Sequence, residues 1–258
     1  MYNISPTTIP TRRRATVLAG LFASFASVFA VGADAAEPAV SNPSLSRVIE
    51  GRYENRELKG GRVVGVESFR LNVHPDGSRC LAIWSNSATR GTQITADVCV
   101  DRQFRPLQAY ARYWIGGAYR GAAWISVDGA NLHVHSSTGG ATMTLSVAVP
   151  ARFSLGTHPM SADAWHMAAL GSDGGTVATS FTLNPAGDRS APLTGQLVQI
   201  PVERLADERV TVPAGTFDAR RIRLAGRTDY WVMGDDWLVV RMATGDSERV
   251  LTQYRQFK

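Results

Sequence analysis

The chain has 258 residues, of which 44% are hydrophobic, 19% charged and 9% aromatic. So ample an apolar share beside so few charges excludes a disordered, collagen-like or coiled-coil protein. The net charge of +5 is carried almost wholly by arginines; beyond Arg12-Arg13-Arg14 they are scattered, densest at Arg220, Arg221 and Arg223, so no basic stripe with interleaved aromatics marks a nucleic-acid surface.

Arg12-Arg13-Arg14, an Ala/Leu/Phe/Val-rich stretch to about residue 31, and Ala33-Asp34-Ala35 have the layout of a secretory leader. The pattern predicts a signal peptide over 1–35, cleaved near Ala35, with the export machinery as its partner and the periplasm as its destination. Its apolar run is too short and too rich in small residues for a bilayer anchor, which needs roughly 20 strongly apolar residues. The arginine pair suits both the twin-arginine and the general secretory route. No transmembrane segment is expected in the mature chain. Cysteine occurs only at Cys80 and Cys99, so no lipid anchor is expected at the cleavage site.

Residues 36–46, with Pro38 and Pro43, read as a flexible lead-in. From there to residue 258 the chain reads as one β-barrel-like domain. Alternation with period 2 predicts strands over 47–54, 62–74, 78–86, 92–100, 105–115, 121–127, 131–136 and 142–149. Hairpin chemistry separates them at His74-Pro75-Asp76-Gly77, Gly116-Gly117-Ala118-Tyr119, Asp128-Gly129 and Gly139-Gly140. Asp128-Gly129 predicts a type I′ turn. One short helix is predicted over 160–170, with Ser161 as its cap and Gly171 as its stop. Further strands follow at 177–184, 196–204, 208–212, 217–225, 228–233, 236–243 and 247–255. The fold class is therefore all-β and mainly antiparallel, a curled meander forming a barrel or half-barrel with one short helix.

The cysteines set a register. Pairing 78–86 with 92–100 around the turn at 88–91 brings together positions that sum to 179, and Cys80 and Cys99 do so. Directly opposed, non-hydrogen-bonded residues have Cα atoms about 4.5 Å apart, within reach of a disulfide. An oxidising compartment favours the bond, so a Cys80–Cys99 disulfide is expected.

The familiar nucleophile and phosphate-loop motifs are absent, and no cofactor is expected. His133 and His135 leave one face of a predicted strand, and Trp124 and Ser126 join them across the Asp128-Gly129 turn. Pairing across 116–121 adds Tyr113. Ile125, Val127, Leu132 and Val134 form the opposite, aliphatic face. The aromatic and polar face is either ordinary surface or the lining of a pocket covered by the 160–170 helix. In the second case Tyr113, Trp124, His133 and His135 bind the ligand. H-x-H is also a metal-ligand spacing, for which His158, Asp163 or His166 would have to supply a third group. No metal is expected on that spacing alone. His74 reads as a structural turn residue.

Val210-Thr211-Val212-Pro213-Ala214-Gly215-Thr216-Phe217, followed by Asp229-Tyr230-Trp231-Val232 and Leu238-Val239-Val240-Arg241, resembles a family of bacterial periplasmic proteins of unknown function. The resemblance implies a curved antiparallel sheet akin to lipocalins and periplasmic lipoprotein carriers, whose concave face shelters acyl chains. It carries over no catalytic residue. Read directly, Pro213 and Gly215 set a tight turn and Phe217 packs inward.

Three functions follow. The first is an exported protein that binds a hydrophobic or amphipathic small molecule, or an envelope component. The second is a cofactor-independent lyase, hydratase or isomerase, with His133 or His135 and Tyr113 or Asp163 as acid and base and His166 nearby. The third is an envelope scaffold or assembly factor without a small-molecule site. An aromatic-lined cavity favours the first, converging His and Asp the second, and a packed interior the third.

Overall fold

The computed structural model describes residues 44–88, 91–170 and 175–258. The expected leader, most of the lead-in, the centre of the 88–91 turn and the Gly171 stop lie outside the described residues.

Sixteen strands, most of them alternating apolar and polar residues, stand among the described residues. The first eight are β1 (Arg47–Glu57), β2 (Val63–Val73), β3 (Arg79–Ser87), β4 (Thr92–Val100), β5 (Pro106–Ile115), β6 (Ala118–Asp128), β7 (Asn131–Ser137) and β8 (Thr142–Ala148). A short β9 (Ser154–Gly156) and helix α1 (Met160–Ala168) follow. Then come β10 (Val177–Asn184), β11 (Thr194–Arg204), β12 (Glu208–Val212), β13 (Gly215–Leu224), β14 (Thr228–Met233), β15 (Leu238–Thr244) and β16 (Ser247–Phe257).

All belong to one sheet. Its order runs from β8 back to β1, then through β16, β15, β14, β13, β11 and β10 to β9, with β12 paired to β13 off that path. The first and last strands therefore meet at a central seam, from Val48 opposite Phe257 to Glu57 opposite Ser247. Two meanders spread from the seam, and the path has β8 at one end and β9 at the other. This is the all-β, one-helix, curled antiparallel sheet expected from the sequence. β9 departs from it: the strand runs parallel to β10, and its three residues are too few to show alternation.

β3 and β4 pair from Arg79 opposite Val100 to Ser87 opposite Thr92, the register inferred from the cysteines. Cys80 and Cys99 are bonded, their Cα atoms 4.1 Å apart.

Two turns differ from expectation. Gly116 and Gly117 both have positive φ, 62° and 78°, and form a two-residue turn between Ile115 and Ala118. The β5–β6 hairpin is thus tighter than one looping over 116–121, and a bulge lies at Tyr113/Trp114. The parity of β5 is shifted by one. At the next hairpin Asp128 pairs with Asn131, so Gly129 and Ala130 form the turn, and only Gly129 has positive φ. That is the signature of a type II′ turn, not the expected I′.

The core lies on the inner face, where Leu71, Leu81, Leu132, Val134, Phe181 and Val239 are essentially without exposure. Helix α1 fills this interior rather than covering the Trp124 face. Eight of its nine residues are buried, and it packs against β9, β10 and β15. Its sequence, MSADAWHMA, is apolar or small around most of the circumference, which suits a helix enclosed on all sides. Trp165 anchors it, stacking edge-on with Phe104 at 5.8 Å and donating its Nε1–H to Asp236 O at 3.0 Å.

Ser161, the expected cap, lies inside the helix, and Pro159 at the N-cap makes no side-chain bond. The cap comes from the sheet. Buried Glu67 on β2 accepts from the N–H groups of Met160 (3.2 Å) and Ser161 (2.8 Å) and from the Ser161 hydroxyl (2.6 Å). A carboxylate at a helix N-terminus satisfies unpaired donors and complements the dipole.

Candidate functional site

The shifted register of β5 separates the expected site residues. Trp124 pairs with Tyr110 on the outer face, where Trp124 is 43% exposed, and His135 lies opposite Trp124 on β7. His133 faces Ser126, and the histidine Nδ1 atoms meet Ser146 Oγ at 2.9 Å and Thr144 Oγ1 at 3.1 Å on β8. Tyr113 points the other way. Its buried hydroxyl donates to Thr157 O at 3.0 Å, its ring stands edge-on to His158, and burial pushes its phenol up. The face expected to hold all four holds only Trp124, His133 and His135. The sheet also separates His133 and His135 from Asp163 and His166, so the H-x-H pair gains no third ligand from α1.

Asp163 and His166 do converge, inside. The Tyr230 hydroxyl donates to Asp163 Oδ2 at 2.8 Å, and His166 Nε2 lies 3.8 Å from Asp163 Oδ1. On its other side, His166 Nδ1 shares a 2.6 Å hydrogen bond with Ser154 Oγ on β9. Burial raises the Asp163 carboxyl to about 7 against the Tyr230 hydrogen bond, and burial lowers His166 to about 4. The imidazole is therefore neutral at pH 7 and a weak base. His158 is bonded elsewhere, its Nε2 lying 2.7 Å from Leu183 O. With Glu67, these groups lock α1 to β2, β9 and β14. Where the polar interior opens beside Asn55, Glu67 and Arg249, the space is about 10 Å³, enough for a single water.

The outer face holds a different feature, a groove of about 540 Å³ across β16, β1, β2, β3 and β4. Its origin is local. A Cβ at Gly51 would stand 2.3 Å from the Phe69 ring, so the bare glycine lets β1 close down on that ring. Outside, Ser68 and Ala82 present short side chains, and the surface sinks. Trp84, 38% exposed, stands opposite Ser68 and forms one wall. Arg52, Arg70 and Arg255 line the opposite side with Glu50, which faces Arg255 on one neighbouring strand and Arg70 on the other. Glu50 accepts from Arg70 Nη1 at 3.1 Å. Among the described residues, Arg52 and Arg255 have no carboxylate within ion-pair distance.

Tyr230 entered only through the C-terminal motif, and Glu67, Ser154, Trp84, Arg52 and Arg255 were not singled out in the sequence. Strand alternation gives the outer parity of the last three. The β1–β16 seam that brings Arg52 and Arg255 together has no local signal.

The outer-face row that begins Arg255, Glu50, Arg70 continues through Ala82, Asp97 and Tyr110 to Trp124 and His135. The expected Trp124 and His135 thus share a cross-strand row with the groove, several strands away.

No family model matches the sequence, and no curated protein does. Among solved structures, the chain is similar to a β-barrel-like protein of the domain of unknown function DUF1849 from Brucella abortus, at 11% identity and a TM-score of 0.48, over 82% of this chain and 98% of that one.

Proposed function

We propose that this chain is an exported binding protein that takes an amphipathic small molecule, or the exposed part of an envelope component, on its outer surface. The observation that carries the reading is the groove over β1–β4 and β16, whose volume lies in the range of small-molecule sites. It joins an exposed indole to converging polar groups, the mixture that holds a ligand with an apolar body and a polar end. Export rests on the leader pattern and on the Cys80–Cys99 disulfide, which suits an oxidising compartment.

Binding of a fluorescent undecanoic acid probe tests this. Trp84→Ala is expected to weaken binding about tenfold, and Trp124→Ala, outside the groove, to weaken it less. Equal binding by wild type and Trp84→Ala contradicts the reading. The filled interior favours a second one, an envelope scaffold or assembly factor with no small-molecule site. Absence of probe binding by the wild type supports it.

A further inference from the structure

We infer that the groove selects an anionic head group, a phosphate or carboxylate, held by Arg52 and Arg255; this rests on the groove being the binding site. Several other outer-face arginines are paired with carboxylates, while Arg112 bonds the Thr95 hydroxyl instead. Arg221 and Arg223 both bind Asp229, Arg241 binds Glu248, and Arg56 binds Glu54. In the groove the balance differs. Arg52 pairs in register with Gln253 and Ser68, both neutral. Arg255 stands across from Glu50, but among the described residues the ion pair of Glu50 is with Arg70. Arg70 and Arg255 occupy the two diagonal positions beside Arg52, a spacing of about 7–8 Å that long side chains cross. Three guanidinium groups thus surround one carboxylate, with Asp97 two strands beyond Arg70.

Guanidinium groups bind phosphate and carboxylate oxygens through paired N–H donors. An anion between Arg52 and Arg255 supplies the charge that Glu50 does not. Trp84 then lies on the far side of the groove floor, where a chain or ring attached to the anion would run. The ligand class is an anionic amphiphile, its head group drawn either from a lipid or from a free acid.

Calorimetric titration of the purified protein with dodecyl phosphate, dodecyl maltoside and inorganic phosphate at low ionic strength tests this. Dodecyl phosphate is expected to bind more tightly than dodecyl maltoside by about fivefold or more. Arg52→Gln and Arg255→Gln are each expected to reduce that ratio about two- to fivefold, towards equal binding. Glu50→Gln, which removes the competing carboxylate, is expected to raise it. Inorganic phosphate that displaces dodecyl phosphate at similar concentration identifies a free anion as sufficient; failure to displace identifies a lipid-like ligand. Equal affinity for the two amphiphiles, or a ratio unmoved by both arginine variants, overturns the anion subsite and leaves the groove standing. If neither amphiphile binds the wild type, the groove reading falls and the subsite with it.

Discussion

Polar residues occur in two settings in this protein, and they are arranged in opposite ways. Inside, around α1, Glu67, Asp163, His166 and Ser154 are matched to donors and acceptors on other elements. Outside, in the groove, Arg52 and Arg255 face neutral residues or a carboxylate already engaged. A buried polar group without a partner costs about 1–3 kcal/mol, so losing any of these matched contacts destabilises the fold. Arg255 is exposed and Arg52 half-buried with its head group at the groove, so neither carries such a cost and both can meet a ligand. The interior therefore holds the fold together, and the exterior is where recognition is expected.

Removing Glu67 gives the sharpest contrast. Glu67→Ala leaves three donors at the start of α1 without an acceptor and is expected to destabilise by about 4 kcal/mol; chemical denaturation measures it. A loss under about 1 kcal/mol breaks the claim that the sheet caps the helix. The disulfide comes next. It joins residues 19 apart, and the double variant Cys80→Ser/Cys99→Ser is expected to lose about 3 kcal/mol by the chain-entropy estimate.

The interior also sets a pH dependence. Asp163 titrates at about 7 when folded, against 3.8 in the unfolded chain, so the folded state holds the extra proton and stability falls as pH rises from about 4 to 7. His166 titrates at about 4 when folded, against 6.5, so its contribution is full above 6.5 and is lost as pH falls to about 4. The two slopes, each about 1.4 kcal/mol per pH unit, oppose each other between pH 4 and 6.5. Relative to wild type, Asp163→Asn should grow more stable with rising pH across that window, and His166→Gln less stable. Parallel profiles for all three proteins refute this assignment.

The smallest effect belongs outside. Trp124→Ala is expected to change stability by less than about 1 kcal/mol, because the ring gives up mainly its contact with Tyr110 at 6.3 Å. A larger loss would mean that this face is covered after all.

Much of the fold was legible because its first meander is regular. The sum of 179 at Cys80 and Cys99 fixed the β3–β4 register, and alternation marked Leu132 and Val134 as core beside exposed His135. The site was less legible, for three physical reasons. The bulge at Tyr113/Trp114 reversed the face of Tyr113 relative to Trp124, and a register carried across the hairpin from β6 does not reveal it. Glu67 meets α1 from 93 residues away, so a search for local caps settles on Ser161 instead. The groove depends on the seam between the first and last strands and on Gly51 yielding to Phe69, a packing relation rather than a motif.

Where an amphiphile sits tests the central claim most directly. A photoreactive fatty acid carrying a diazirine on its chain can be cross-linked to the purified protein and the labelled peptides identified by mass spectrometry. Labels on β1, β2 and β3 around Arg52, Ser68 and Trp84, lost in the presence of excess unlabelled fatty acid, are the expected result. Competable labels on β9, α1 or β10 instead, around Ser154, His166 and Phe181, would place the ligand in the interior and contradict the assignment of recognition to the outer face.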